Sequence, residues 1–320
     1  MRIDVDNWDP SYGASFAAGE GPQAESSAKI ETDVELPAKA WRAMDPPATV
    51  SAPDLVLLVD GVQRIDTRVW ITDDDGETHL GLAASFGAGV VRCDLKAGVA
   101  TLAAARVERG LFSACATAPA LVAGSVRYPA LRVARGEPKD LELGLGRQLR
   151  GLEVAVSGEA RERDDDLMVV DGPLRERRHL PRALGYVKTH QKTYLPPELT
   201  AVVVGLRGGQ RSPVFVLGTS WHRYSWYLRL PGPGGSPWAG IVRVECAADL
   251  TPEAAIGLAH VSAATLPRFA STPYKDPRAP QNLIPIAGLE RRLRMQLGDA
   301  RLLHRALRNA SRRTALSGTP

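Results

Sequence analysis

Two short apolar runs that each end in Asp-Gly constrain the fold more than any other feature of the sequence. One run, Leu55–Val59, precedes Asp60, and the other, Leu167–Val170, precedes Asp171. Their length and their Val and Leu content predict buried strands. A glycine follows each aspartate and leaves room for a ligand beside the backbone. The two carboxylates are therefore expected at the rim of a buried sheet.

A change of apolar spacing separates these two runs and predicts a helix between them. From Pro138 to Arg163, apolar residues recur at spacings of three and four, the pattern of a helix with one buried stripe. Another helix is predicted to begin at Thr251, where a cap residue precedes a proline. Further strands are predicted over residues 68–72, 80–93, 99–107, 201–206, 214–217, 225–230 and 240–246, a helical or mixed segment over 180–195, and a last helix over 288–308.

The composition is that of a folded globular protein, with 44% apolar and 24% charged residues in a chain of 320. That length leaves one domain or two open. No apolar run approaches the roughly 18 to 20 residues that span a bilayer, and the N-terminus is unlike a signal peptide, so a cytoplasmic protein with no membrane partner is expected. Cys93, Cys115 and Cys246 form no CxxC pair and are interpreted as small apolar residues.

Charge is distributed unevenly along the chain. Residues 1–50 hold four basic and nine acidic side chains, whereas residues 281–320 hold eight arginines and two acids. A basic end of this kind is typical of contact with an anionic partner, or equally of a solvated helix. Residues 1–48 also lack apolar periodicity and are rich in Gly, Ala, Ser, Pro and acids, which predicts a loosely structured extension.

Asp60, Asp171 and one helical glutamate are the candidate ligands of a divalent metal. Mg²⁺ and Mn²⁺ take one or two protein carboxylates and complete their coordination with water and phosphate oxygens. Two such ions can clamp the attacking water and the leaving oxygen of a phosphodiester. Glu142 and Glu153 lie roughly 16 Å apart along the predicted helix, so at most one can face the ions. Spacing alone leaves open that both Asp-Gly pairs are simple turns and that the glutamate faces water.

Two other phosphate-handling classes lack residues that they need. An aspartyl-phosphate enzyme of the haloacid dehalogenase type needs an acid two residues after its nucleophile, and that position after Asp60 is Val62. The glycine-rich stretches 205–209 and 232–235 lack the GK[ST] ending and the strand-to-helix setting of a nucleotide-binding loop. The sequence therefore predicts no nucleotide site.

Six short segments occur along the chain in a characteristic order: 59–61, 152–153, 170–174, 185–189, 242–245 and 258–260. Their order and spacing resemble the NurA family of DNA-end-processing nucleases over about residues 50–305. Val62 and Pro173 depart from that family, which commonly has a small hydroxyl residue after each Asp-Gly pair. The resemblance implies a ribonuclease H-like α/β core, a mixed sheet flanked by helices, in a nuclease domain of residues 49–308 followed by a flexible tail, 309–320.

The resemblance also assigns roles to individual residues. It implies that Asp60, Glu153 and Asp171 bind two Mn²⁺ or Mg²⁺ ions and that His260 completes the catalytic site. A neutral imidazole can ligate Mn²⁺ or relay a proton, although a histidine bonded between packed helices would give the same pattern. The three carboxylates are expected within about 8 Å of one another, because they must bridge two ions roughly 4 Å apart.

Lys188, Lys192 and Arg243 are the candidate DNA-binding side chains, since Lys188 in particular could neutralise a scissile phosphate. A solvated surface explains the lysines equally well. The segment 274–283 is polar and contains several prolines, which suits either a functional loop beside the site or a rigid connector. The Trp and Tyr residues between 221 and 238 suit base stacking or core packing, and Tyr227 is expected in the core.

Together with the carboxylates, the resemblance implies a metal-dependent nuclease that hydrolyses DNA phosphodiesters, at DNA ends in double-strand-break repair. A non-catalytic DNA-binding or scaffold subunit and a nuclease that acts on RNA are the alternatives. The resemblance further implies a homodimer that docks onto a hexameric HerA-type DNA-translocating ATPase. A separate ATPase is consistent with the lack of a nucleotide-binding loop in this sequence.

Overall fold

Helices and strands are mixed along the chain in an α/β arrangement with a large mixed sheet. The structure, a computed structural model, describes residues 28–190, 192–232 and 235–317. The strands are β1 (Lys29–Glu31), β2 (Leu55–Thr72), β3 (Thr78–Asp94), β4 (Val99–Ser113), β5 (Leu121–Ala123), β6 (Val126–Tyr128), β7 (Ala130–Arg132), β8 (Leu167–Asp171), β9 (Ala183–Val187), β10 (Phe215–Gly218), β11 (His222–Arg229) and β12 (Ile241–Ala247). The helices are α1 (Pro138–Ala160), α2 (Pro197–Val204), α3 (Pro252–Thr265), α4 (Ile284–Gln296) and α5 (Ala300–Ser317).

The chain divides into two compact units. Among the described residues, unit 1 contains those from 28 to 58 together with Val91–Thr101 and Arg161–Ala287, and unit 2 contains Val59–Val90, Leu102–Ala160 and those from 288 to 317. Strands β2, β3 and β4 each contribute residues to both units. The region expected to form one nuclease domain, residues 49–308, therefore contributes to both.

Short, buried strands form the centre of unit 1. Their order is β1-β10-β11-β12-β9-β8, followed by β2. The pairs from β1 to β9 are antiparallel, whereas β8 and β9 run parallel with Asp171 opposite Tyr186. Near-continuous apolar sequences suit strands covered on both faces, and β12 is buried throughout. Because parallel strands end at the same edge, Asp171 lies beside the chain that leaves β9.

The core of unit 1 includes aromatic side chains from the N-terminal segment and from two neighbouring strands. Trp41, Phe215 and Tyr227 belong to one buried cluster, and the rings of Phe215 and Tyr227 stack 6.0 Å apart. Tyr227 is therefore a core residue, as the sequence predicted. The cluster is completed by Leu195, Leu199, Val203, Leu206, Leu217 and Ile241.

In unit 2 the strand order is β2-β3-β4-β7, with β4 and β7 parallel. Strands β5 and β6 form a separate antiparallel pair. Helix α1 buries Leu141, Leu145, Leu152 and Val156, the stripe that the apolar spacing predicted. The predicted helix and its buried face are thus confirmed.

The two Asp-Gly pairs differ in backbone conformation. Gly172 adopts φ +89°, a conformation that glycine favours, and β8 ends before it as predicted. Asp60 and Gly61 instead lie inside β2, which continues to Thr72. The strand end predicted at Asp60 is wrong, because β-branched residues continue beyond Gly61 and sustain the strand.

Two other segments fold differently from the predicted class. Residues 201–206 were expected to form a strand, but most of them lie in α2, which begins with Pro197 at a position where proline favours a helix. An apolar run this short does not distinguish helix from strand. Residues 180–195, expected to be helical or mixed, contain β9, which pairs with β8 and also with β12, a strand distant in sequence.

The last predicted helix, residues 288–308, is two helices. Gly298 adopts φ +82° between α4 and α5, and its carbonyl accepts a hydrogen bond from Arg64 Nη1 at 2.7 Å. Asp299 caps α5 by accepting two backbone N–H groups. Helix α5 extends to Ser317, into the segment expected to be a flexible tail. Among the helices described, none combines the length and the hydropathy that crossing a bilayer requires.

Residues 28–44, which composition assigned to a loosely structured extension, are ordered in unit 1. Strand β1 pairs with β10, and the ring of the buried Trp41 lies 5.9 Å from that of Phe215. A single tryptophan in an acidic stretch produces no periodic signal, although burying its ring contributes much apolar area. The rest of the expected extension, residues 1–27, lies outside the described residues.

Removing the cap of α3 should destabilise the protein by about 1 kcal/mol. Thr251 Oγ1 accepts a hydrogen bond from the backbone N–H of Ala254 at 3.2 Å, and Thr251→Ala deletes that acceptor. Urea denaturation of the wild type and the variant measures the loss. Thr251→Ser keeps the oxygen and should lose less than about 0.5 kcal/mol, so equal losses in both variants would contradict the capping role.

Candidate functional site

The two carboxylate oxygens of Asp171, at the end of β8, have different surroundings. Oδ2 accepts a hydrogen bond from Lys188 Nζ at 2.6 Å, and the aspartate side chain is 13% exposed. Oδ1 is buried and has no hydrogen-bond partner among the described residues. A buried carboxylate oxygen without a donor is a position that a cation or a water can fill.

Lys188 follows β9 and is held by a chain of polar contacts. Its Nζ donates to Asn282 Oδ1 at 2.9 Å, and Asn282 Nδ2 donates to Asp276 Oδ2 at 2.7 Å. Asn282 is fully buried, so its side chain has one orientation available for these bonds. The segment 274–283, for which the sequence left two interpretations open, therefore fixes the position of the Lys188 ammonium.

Tyr186 lies opposite Asp171 in the parallel pair and is a structural donor. Its hydroxyl donates to the backbone carbonyl of Gln281 at 2.6 Å. Burial, and then the negative charge of Asp171, raises the pKa of Tyr186 well above its usual value. The phenol therefore stays protonated and cannot act as a base at neutral pH.

Glu245 on β12 joins three elements of the site through one buried carboxylate. Its side chain is 0% exposed. Oε1 accepts the backbone N–H of Leu174 at 2.8 Å, and Oε2 accepts from Arg223 and Arg243, each at 2.9 Å. These donors compensate the free energy that burying the charge would otherwise cost. The carboxylate thus ties the turn after β8 to β11 and β12.

Gly185 leaves the space through which Glu245 reaches that turn. The two residues are paired between β9 and β12. A Cβ at position 185 would lie 2.8 Å from Glu245 Cγ and 2.9 Å from the Leu174 nitrogen, closer than van der Waals contact allows. The close approach of the glutamate therefore requires glycine here.

A cleft of about 630 Å³ opens beside Asp171 in unit 1. Tyr194 and Trp221 contribute aromatic rings to it, with the Arg223 guanidinium 4.8 Å from the centre of the Trp221 ring. Cations and aromatic faces together suit a polyanion that carries aromatic groups. The basic residues among those that line the cleft are Arg175, Lys188, Lys192, Arg223 and Arg243, and the carboxylate is Asp171.

His190 lines the cleft as a neutral ring. Its Nε2 donates to the backbone carbonyl of Ile241 at 3.0 Å, and its ring lies 5.0 Å from that of Trp238. Burial is the main cause that lowers the pKa of His190 to about 4. The hydrogen bond to Ile241 partly raises the pKa again, and the positive charge of Arg243 lowers it by a smaller amount. The imidazole therefore adds no charge to the cleft at pH 7.

Within unit 2, α1 brings Glu153 to the backbone beside Asp60. Both side chains are buried, and Asp60 Oδ1 accepts the N–H of Gly61 at 2.8 Å. A Cβ at Gly61 would lie 2.7 Å from Glu153 Oε1 and 2.8 Å from a methyl of Leu149, so glycine permits this approach. Glu142, the alternative helical acid, is exposed. Glu153 therefore lies on the Gly61 side of β2, whereas neighbouring side chains of a strand point to opposite faces, so its role beside Asp60 stays a prediction.

The structure places His260 with Arg211 and Glu35 in unit 1. Arg211 Nη2 lies 3.1 Å from Nδ1 and 3.2 Å from Nε2 of the imidazole, and the same guanidinium contacts each Glu35 oxygen at 2.7 Å. Burial, and then the charge of Arg211, lowers the pKa of His260, while Glu35 partly offsets both. The residues that line the cleft do not include His260. Its metal-binding role, and the convergence of Asp60, Glu153 and Asp171, stay predictions.

The three side chains expected to bind DNA all line the cleft. Lys188 is paired with Asp171, Lys192 is exposed, and Arg243 is buried and paired with Glu245. Residues chosen separately in the sequence are therefore brought to one surface. Their contact with DNA stays a prediction.

Sequence reasoning did not single out Glu245 as a site residue. The available signal was the pair of charges at Arg243 and Glu245, which alternate within an otherwise apolar strand and therefore need buried partners. A second group was also missed: Asp73, His79 and Cys115 offer ligand atoms within 4.8 Å of one another and could hold a divalent ion.

Comparison with known proteins identifies no family for this chain. No protein-family profile and no curated protein matches the sequence. Among solved structures, the chain is similar to the crystal structure of an endonuclease V from Bacillus subtilis, with 11% sequence identity and a TM-score of 0.33, covering 80% of this chain and 84% of that one. A likeness at this level carries no conclusion about the fold or the activity of this chain.

Gly185→Ala should disrupt the Glu245 contacts and lower the free energy of unfolding by about 1–3 kcal/mol, because the added methyl collides with both the glutamate and the backbone. Gly158→Ala is the matched control, since a Cβ at this exposed position in α1 would meet nothing within 4 Å. The control should be neutral or stabilising by up to about 1 kcal/mol. Denaturant titration compares them, and a tolerated Gly185→Ala would contradict the packing argument.

Acidification should destabilise the protein through His190. The unfolded imidazole takes up its proton near the ordinary pKa of 6.5, whereas the folded one does so only at about 4. The unfolded state binds more protons in this window, so stability falls as the pH is lowered from 6.5 to 4, by up to roughly 3 kcal/mol. His190→Gln should lose that part of the pH dependence in denaturation curves; identical curves for the two proteins would count against it.

Proposed function

We propose that this chain is a divalent-metal-dependent nuclease that hydrolyses DNA phosphodiesters, at DNA ends in double-strand-break repair. The surroundings of the Asp171 carboxylate carry the proposal. One oxygen is held by Lys188, and the other is buried with no donor among the described residues, beside a cleft lined by basic side chains. An acceptor of this kind next to cations suits a metal ion that shares a phosphate with the protein.

The proposed ligands suit Mg²⁺ or Mn²⁺ because they are carboxylate oxygens. We assign Asp60, Glu153 and Asp171 to two ions, with His260 as a further ligand or proton relay. Bound ions would supply charge stabilisation at the phosphate and a water of lowered pKa. Glu153 would have to turn from the Gly61 side of β2 toward the carboxylate of Asp60. His260 would have to exchange its contact with Arg211 for the ion.

The other residues that line the cleft suit contacts with different parts of a nucleic acid strand. Lys188 Nζ is fixed by Asp171 and Asn282, so it is placed to neutralise a phosphate oxygen as negative charge develops there. Lys192 is exposed and suits contact with the sugar-phosphate backbone. The rings of Trp221 and Tyr194 offer faces on which bases can stack.

The choice of DNA and of protein partners rests on the resemblance to the NurA family. We propose a homodimer that docks onto a hexameric HerA-type ATPase, with the basic C-terminal helix at a DNA or protein contact. In unit 2, Arg301, Arg305 and Arg308 line a second cleft of about 520 Å³ together with His304. A cationic surface of this kind suits an anionic partner.

A non-catalytic DNA-binding or scaffold subunit is the second candidate. The observation that favours it is the Lys188–Asp171 ion pair, which neutralises one carboxylate oxygen without a metal. On this alternative, the cleft binds nucleic acid and the carboxylates only stabilise the fold.

Asp171→Asn should reduce the cleavage of labelled linear DNA in Mn²⁺ or Mg²⁺ by at least about 100-fold, because the charge of a metal ligand is lost. The single variant also removes the counter-charge of Lys188. The double variant Asp171→Asn with Lys188→Met restores the charge balance, so it should recover stability in thermal melts and remain inactive. Asp249→Asn, at an exposed position after β12, is the control and should cleave at the wild-type rate.

Each alternative predicts a different result in this assay. A wild-type protein that binds DNA but shows no divalent-dependent cleavage would support the scaffold subunit. Faster cleavage of RNA than of DNA would support a ribonuclease. Wild-type activity in purified Asp171→Asn would remove this residue from the mechanism.

A further inference from the structure

Three potential metal ligands from separate segments meet within unit 2. Asp73 lies in the turn after β2, His79 lies in β3, and Cys115 follows β4. One ligand atom of each lies within 4.8 Å of the other two. The side chains of Asp73 and His79 are 17% and 25% exposed, so an ion can reach the group from solvent, whereas Cys115 is buried.

The turn between β2 and β3 fixes the Asp73 carboxylate. Oδ1 accepts the backbone N–H groups of Asp75 and Glu77 at 3.1 and 2.9 Å. Oδ2 lies 2.8 Å from His79 Nε2. The turn thus presents a preformed oxygen ligand beside an imidazole.

Cys115 is placed by contacts that link it to β3. Its backbone N–H donates to Ser113 Oγ at 3.2 Å, and that hydroxyl donates to the carbonyl of Leu80 at 3.1 Å, the residue after His79. Its Sγ lies 3.6 Å from Thr117 Oγ1. A contact between Asp73 and His79 alone would be ordinary in a hairpin. It does not explain why a different segment places the thiol of Cys115 close to both side chains.

A thiolate, an imidazole and a carboxylate together form a ligand set for a borderline-soft metal. Zinc accepts all three ligand types in tetrahedral geometry, whereas Mg²⁺ and Ca²⁺ prefer oxygen alone. Tetrahedral bonds of about 2.0–2.3 Å separate ligand atoms by about 3.3–3.6 Å. Separations within 4.8 Å therefore need a contraction of about 1.5 Å at most, and the Asp73–His79 contact of 2.8 Å must lengthen slightly, changes that side-chain rotation can supply.

We propose that Asp73, His79 and Cys115 bind one Zn²⁺, which clamps the turn between β2 and β3 to the chain that leaves β4. Three protein ligands leave a fourth position for water on the exposed side. None of these three residues is assigned to the nuclease site, so the zinc proposal can be tested independently of the proposed function.

The test is a calorimetric titration of ZnCl₂ into the full-length, tag-free protein after treatment with a chelator. We expect one Zn²⁺ per chain, a higher melting temperature with zinc, and no competition from excess Mg²⁺. Cys115→Ser and His79→Ala should each weaken zinc binding by at least about 100-fold, because each removes a ligand. Asp73→Asn, conservative and partly exposed, gives a third variant in case the others fail to fold.

Cobalt substitution identifies the sulfur ligand directly. Co²⁺ in the wild type should give a thiolate-to-metal charge-transfer absorption that Cys115→Ser abolishes. Cys93→Ser is the matched control, because Cys93 is also a buried free cysteine but is not part of the group, and this variant should keep the absorption. No stoichiometric zinc binding, or equal zinc affinity in the wild type and in folded Cys115→Ser and Asp73→Asn, would overturn the proposal.

Discussion

The cleft depends on the buried carboxylate of Glu245. This one group accepts hydrogen bonds from the turn after β8 and from two arginines on neighbouring strands. Removing one member of such a network costs about 3–5 kcal/mol, because it leaves a buried charge uncompensated. The position of the turn after Asp171 and the orientation of Arg223 and Arg243 in the cleft wall therefore have a common origin. The glycine at 185 is required by the same contact.

The ion pairs of Glu245 also divide the basic residues of the cleft into two kinds, buried arginines that are paired with it and exposed side chains that are not. Arg223 and Arg243 share the single negative charge of Glu245, so the three groups together contribute one net positive charge, and the arginines also lie near the rings of Trp221 and Tyr194. Lys192 is exposed in the same cleft. Salt-sensitive attraction of an anion therefore comes mainly from exposed positions, since exposed charges are the ones that ions screen.

Structural features that depend on residues close together in the sequence could be predicted, whereas features that depend on contacts between distant residues could not. The buried stripe of α1, the cap at Thr251 and the end of β8 each depend on residues within a few positions. The existence of β9 depends in part on its pairing with β12, a strand far along the chain. The Glu245 network is of the second kind, because its donors come from segments more than 20 residues away as well as from its own strand. Candidate residues could thus be named from sequence, but their partners could not.

The ion pair between Asp171 and Lys188 has a thermodynamic consequence for any ligand of the cleft. A cation that binds Asp171 competes with the lysine ammonium for the same carboxylate, and the ammonium it displaces gains affinity for an anion. An anion that draws the ammonium away likewise makes the carboxylate a better ligand for a cation. Because coupling between two binding events is reciprocal, each ligand raises the affinity for the other by the same factor. The ion pair therefore couples the two binding events, so that the cation and the anion each bind more tightly when the other is present.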